Sequence, residues 1–126
     1  MQHLTNVKYS TSWVPEGYVL IHEEMVAGDW IYVYMDEQGN LAQFTYAILP
    51  EKNNVAVYVD GNSPDYQYIE TQAREYKAEL YFSITNNHSS TLIWIDKNDS
   101  LFVITAKLEK EELIKWAESV VEIIEE

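Results

Sequence analysis

Apolar and polar positions along this chain follow two periods, a two-residue alternation through most of its length and a helical spacing near the end. Residues 1–12 are mostly polar with no sustained period, which predicts a ragged lead-in. Trp13-Val14-Pro15-Glu16-Gly17-Tyr18 predicts a turn, because Pro15 fixes its own φ and Gly17 permits a positive one. A strand is expected from Tyr18 to Met25, then a tight reversal at Ala27-Gly28-Asp29. Trp30 to Met35 is almost entirely β-branched or aromatic and reads as the next strand. Asp36-Glu37-Gln38-Gly39-Asn40 follows as a hairpin loop, with Gly39 at the left-handed position. Leu41 to Leu49 is a strand stopped by Pro50, Glu51-Lys52-Asn53-Asn54 a turn, and Val55 to Val59 a further strand.

Residues 60–71, opening with Asp60-Gly61-Asn62-Ser63-Pro64-Asp65, have the most loop-like composition of the chain. Beyond them, Tyr76 to Ile84 reads as a strand and Asn86-Asn87-His88-Ser89-Ser90 as a loop. Thr91 to Ile95 and Leu101 to Thr105 form a hairpin of two buried strands around the polar turn Asp96-Lys97-Asn98-Asp99-Ser100. The period then changes. At 100° per residue, Leu113, Trp116, Ala117, Val120 and Ile124 fall on one side, flanked by Ile114, Val121 and Ile123. Glu111, Lys115, Glu118, Glu122 and Glu125 fall opposite, so the spacing predicts a helix over 108–124 lying on a sheet. Glu125 and Glu126 oppose its dipole, and its last turn is expected to fray. Short connections between successive strands imply antiparallel pairing. The fold class is therefore α+β, a single antiparallel sheet of about six or seven strands with the C-terminal helix on one face.

Composition narrows the class. A chain of 126 residues suits one domain over 1–126, with 13–105 mainly strand and no repeat, linker or second unit. Hydrophobic residues at 47% and aromatics at 13% supply a core and argue against disorder. The absence of cysteine removes disulfides, thiolate catalysis and thiolate metal sites. The formal charge of −13, from 21 acids against 8 bases, repels phosphate backbones and disfavours anionic membrane surfaces. Nucleic acid is thus excluded as a partner. No apolar run approaches the roughly 20 residues of a membrane span, so this chain is not expected to insert directly. Met1-Gln2-His3-Leu4-Thr5-Asn6 lacks the basic start and apolar core of a signal peptide. Either Met1 is the true start and the protein is cytoplasmic, or a targeting or anchoring segment lies outside this sequence.

Candidate chemistry is sparse. His3, His22 and His88 are scattered without metal-ligand spacing. Asp60 to Asp65 superficially matches an oxygen-rich calcium loop but lacks the closing Glu and the alternation of ligands, so a plain turn is expected. Glu23-Glu24 and Asp36-Glu37 sit at strand edges or turns and read as solvated, not as a catalytic pair. Ser63 and Ser83 lack a nucleophile elbow, and there is no Gly-rich phosphate loop. Asn87-His88-Ser89 and Asn98-Asp99-Ser100 fit the glycosylation pattern, which Asn- and Ser-rich turns produce by chance. No catalytic residue, cofactor or metal is therefore expected, and the chain does not read as an enzyme. Tyr66, Tyr68 and Tyr76 are the candidate ligand or partner surface, against the alternative that they pack onto the sheet. Trp94 and Trp116 fit best as core, touching where helix crosses sheet.

Pro15-Glu16-Gly17-Tyr18, Leu92-Ile93-Trp94, and Glu111-Glu112-Leu113 through Ala117-Glu118-Ser119 occur here in that order. In these words the chain resembles the Gram-positive bacterial family known as domain of unknown function 4367, over roughly residues 13–122. Glu109 stands where that family usually places a helix-capping Ser, and residues 50–75 carry no family word. The resemblance implies a lipoprotein-carrier-like domain whose curved sheet wraps around helices. It also implies an extracytoplasmic setting, tethered by an N-terminal membrane segment. The function so implied is sensory or protein-binding, with an unknown protein partner. The alternative is a carrier-like module holding an apolar or acyl small molecule between sheet and helix. The family brings no catalytic residues to transfer.

Overall fold

The computed structural model describes residues 7–48, 65–85 and 88–124. Its elements run β1 (Val7–Thr11), β2 (Val19–Val26), β3 (Asp29–Met35), β4 (Leu41–Ile48), β5 (Tyr66–Ala73), β6 (Tyr76–Ser83), β7 (Ser90–Ile95), β8 (Ser100–Ala106), α1 (Lys110–Glu118) and β9 (Val120–Ile124). The expected strand Val55 to Val59 lies outside the described residues.

Seven strands form one antiparallel sheet in the order β2-β3-β4-β8-β7-β6-β5. It joins two meanders, β2-β3-β4 and β5-β6-β7-β8, where β4 meets β8. The join is specified by register: Tyr46 faces Phe102 and Phe44 faces Ile104, and on β7 Trp94 and Leu92 continue the same two rows. A slip of one residue would turn these side chains to the other face. Phe44, Phe102, Leu92, Ile104 and Leu80 are almost fully buried on this layered face.

The second layer is α1 together with a two-stranded antiparallel ribbon, β1 with β9. Leu113, Trp116 and Ala117 are the buried residues of α1. The Trp116 ring meets Tyr34 edge-on at 5.4 Å, whereas Trp94 stacks on Phe102 at 4.9 Å. Both tryptophans are core, each with its own ring partner. The N-cap Glu109 is held by its backbone N–H donating to the Glu112 carboxylate at 3.4 Å.

Three expectations need correction. The helix ends at Glu118, and residues 120–124 form β9 instead of its last turns. Val120, Val121, Ile123 and Ile124 are β-branched, stiff at χ1, and fit a pleat better than a helix. The lead-in over 1–12 holds β1, whose register Tyr9 to Glu122 and Ser10 to Val121 supplies the ladder that draws β9 out straight. The loop-like stretch 60–71 contains the start of β5, the outermost described strand on its side of the sheet, with Gln67, Glu70 and Gln72 exposed.

Candidate functional site

Alternation along β3 sends Trp30, Tyr32 and Tyr34 to the layered face. Trp30 and Tyr32 stand with rings 6.4 Å apart and nearly parallel, and Tyr32 repeats that spacing with Tyr46 on β4. The β1–β9 ribbon covers the centre of the face and stops short of β2. A cleft of about 350 Å³ is left, walled by Trp30, Tyr32 and Tyr34 and edged by Lys8, Leu20 and Glu23. The Lys8 ammonium lies 5.5 Å from the centre of the Trp30 ring. Burial pushes the Tyr32 phenol well above its ordinary range, and the Tyr46 phenol adds to the rise. Burial likewise raises Tyr34, partly opposed by a hydrogen bond with Thr11. The phenols stay neutral at physiological pH. Apolar contact and hydrogen bonding are what this cleft offers.

On the other flank of the ribbon lies a second cleft of about 350 Å³, reached by Tyr76, Arg74 and Glu122 and floored by Tyr9 and Trp94. Its chemistry is that of an anchor. The Tyr9 hydroxyl donates to Asp96 Oδ2 at 2.8 Å, is 2.9 Å from Ser100 Oγ, and accepts from Asn98 Nδ2 at 3.1 Å. Asn98 Nδ2 also donates to Glu122 Oε1 at 2.6 Å, tying β9 into the same network. Burial pushes the Tyr9 phenol up to about 12, against the lowering bonds from Asn98 and Ser100. These bonds fix the ribbon to the β7–β8 turn.

The three candidate tyrosines are divided between the two faces. Tyr66 and Tyr68 share the face of β5 turned away from α1 and the ribbon, and β5 is outermost among the described strands. Tyr66 lies 6.0 Å from the His88 ring; Tyr68 packs at 5.3 Å on Tyr81, and its hydroxyl reaches Glu79 Oε2 at 3.5 Å. Tyr76 points to the layered face and packs against the core. His22 contacts Glu24 on β2, and His88 lies 3.7 Å from Asp65. His3, Ser63 and most of the Asp60 to Asp65 loop lie outside the described residues. Among the described residues no group of three or more metal-ligating side chains converges. Ser83 Oγ is taken up locally, donating to the Thr85 carbonyl at 2.7 Å. Asp36 accepts from Gln38 N, Asn40 N and Asn40 Nδ2, so it builds the β3–β4 turn.

Sequence reasoning passed over the surface of β2. All eight of its residues are exposed, and Val19 (63%), Met25 (58%) and Ile21 (49%) are the most open of its five apolar members. A bulge at Ile21 resets the alternation, so Leu20, Glu23 and Met25 share the layered face and Val19, His22, Glu24 and Val26 the other. Among the described residues β3 is the one strand that pairs with β2. The aromatic i, i+2 spacing of β3 was a visible signal for the cleft. Nothing local marks β2 as an edge, because strand order is a non-local property.

The family model described as "Domain of unknown function (DUF4367)" matches residues 8–120. No curated protein and no solved structure matches the chain. A match from the first ribbon strand, through the whole seven-stranded sheet and α1, to the start of β9 places this chain in the family: it belongs to domain of unknown function 4367.

Proposed function

We propose that this chain is a non-catalytic extracytoplasmic domain, sensory or protein-binding, of a membrane-anchored bacterial protein. The carrying observation is the apolar surface left open on the seven-stranded sheet. Among the described residues α1 and the ribbon cover one face only, and on the other face Val19, Leu41, Tyr68 and Ile95, on different strands, are all exposed. Exposed apolar surface of this kind marks interaction sites. The resemblance to lipoprotein-carrier-like domains of Gram-positive bacteria supports the setting. The charge of −13 supports a body that stands off from an anionic leaflet and leaves membrane attachment to another segment. The test is photo-crosslinking in intact cells making the full-length protein, with the reactive group at Val19, at Ile95, or at Glu111 on the polar side of α1. A discrete adduct from either sheet position but not from Glu111, in a protein cleaved by protease added to protoplasts, is the expected result. Adducts nowhere on the sheet, or full protection from protease, would overturn it.

The second reading is a carrier-like module for an apolar small molecule. It is favoured by the aromatic cleft beside the ribbon, whose size is near the lower end of ligand pockets, about 300–1,000 Å³. Leu113 and Trp116 close the contact between helix and sheet, so the ligand would sit beside the ribbon and not under α1. Native mass spectrometry decides. A mass excess over 14.7 kDa that disappears on denaturation favours the carrier, and a bare chain the interaction domain.

A further inference from the structure

We infer that the outer edge of β2, which no other described strand pairs, takes up one extended segment of a partner protein, a strand with a basic residue set between apolar ones. This deepens the protein-binding reading and rests on it. An edge strand offers a row of backbone donors and acceptors to any chain that can pair with it. What selects the occupant is the order of side chains along β2. On the layered face Glu23 stands between Leu20 and Met25, opposite Tyr32 of β3.

A second copy of this chain is a poor occupant. Antiparallel self-pairing over the whole of β2, with each side chain kept on its own face across the bulge, sets Glu23 against Glu23 of the other copy. Like charges directly opposite each other destabilise a strand pair, and two bodies of charge −13 add a long-range repulsion. An incoming strand with Lys or Arg at that position reverses both terms. Apolar residues two places to either side then meet Leu20 and Met25. On the opposite face, His22 and Glu24 already contact each other, so it offers no comparable free carboxylate. Lys8 is the basic residue that lines the same aromatic cleft as Glu23, and its ammonium lies over the Trp30 ring. The inference therefore commits to a basic-centred strand as an eighth member of the sheet.

The test uses the whole chain and two capped synthetic peptides, Thr-Val-Thr-Lys-Thr-Val-Thr and the same peptide with Glu in the centre, followed by amide NMR. Binding of the Lys peptide should shift amides across Val19–Val26 and slow their hydrogen exchange. The Glu peptide should bind about tenfold more weakly, from one attraction replaced by one repulsion. In Glu23→Lys, an exposed change that leaves the core alone, the preference should invert. Equal binding of both peptides, shifts confined to other strands, no shift at millimolar peptide, or β2 amides fully protected in the free protein would each overturn the inference. None of those results touches crosslinking at Ile95, so the loss of this edge and the loss of the broader reading remain distinguishable.

Discussion

At the scale of single residues, two buried aromatics hold the second layer on the sheet. Tyr9 is 4% exposed and places its ring against Tyr46 and Phe102 while its hydroxyl enters the Asp96–Asn98–Ser100 turn. Tyr9→Phe keeps the ring and removes the hydroxyl, leaving buried partners short of a bond, so it should cost about 1–3 kcal/mol in urea unfolding. The same phenol fixes an alkaline limit. Its proton is held up to about 12 in the folded chain against 10.0 ordinarily, so the native state binds the proton more tightly. Stability is full below about pH 10 and falls as pH rises toward 12, by about 3 kcal/mol for this group. In Tyr9→Phe the alkaline decline should be shallower, which unfolding at pH 8 and pH 11 would measure. Trp116 is fully buried against Tyr34, and Trp116→Ala should cost about 3–5 kcal/mol. A loss under about 1 kcal/mol in chemical denaturation would contradict its place at the centre of the helix contact. Both tryptophans were legible as core from their positions in apolar runs. Tyr9 was not, because one aromatic among polar neighbours carries no periodic signal.

At the scale of elements, the informative disagreement is where α1 stops. Residues 120–124 satisfy both periods at once: their spacing extends the apolar face of a helix, and their β-branching suits a strand. What decides between them is β1, more than a hundred residues earlier, which no local window contains. The junction is then secured. Ser12 N and Oγ both donate to the Ser119 carbonyl at 2.9 Å, and Ser119 Oγ bonds back to Trp116 O. The β5–β6 hairpin secures the other side. Arg74 holds a left-handed φ of 57°, its N–H donates to Glu118 Oε2, and its Nε–H to the Glu118 carbonyl. A cation at the end of α1 also complements the helix dipole. Arg74 therefore combines backbone strain with a useful clamp. Both Arg74→Ala and Arg74→Gly keep the backbone bond and lose the guanidinium bond to the Glu118 carbonyl, but Ala keeps the strain and Gly relieves it. The Ala variant should be less stable than the Gly variant by about 1 kcal/mol in thermal unfolding. Equal stabilities would show that the turn relaxes freely.

At the scale of the whole molecule, every strand of the large sheet but one was anticipated near its place, while their order was not. Hairpins are local, and β2-β3-β4 and β7-β8 follow from turn chemistry. The seam between β4 and β8 joins residues nearly sixty positions apart, and it decides which strands become edges. The candidate surfaces are products of that order: among the described strands β5 and β2 are outermost because the two meanders meet at their other sides. Charge acts at the same scale. Among the described residues the histidine contacts are exposed, and Lys8 and Lys115 lie over the rings of Trp30 and Trp13. Such contacts contribute little each, while the excess of acids repels itself over the whole surface. Salt should therefore stabilise this fold. Between about 0.01 M and 0.5 M ionic strength the screening length falls from about 30 Å to under 10 Å, which removes the repulsion between distant carboxylates before it weakens contacts at 4–6 Å. The melting temperature in sodium chloride should rise over that range and level off. A fall instead would mean that close charge contacts outweigh the net field. It would also undercut the argument that repulsion keeps a second copy from the β2 edge.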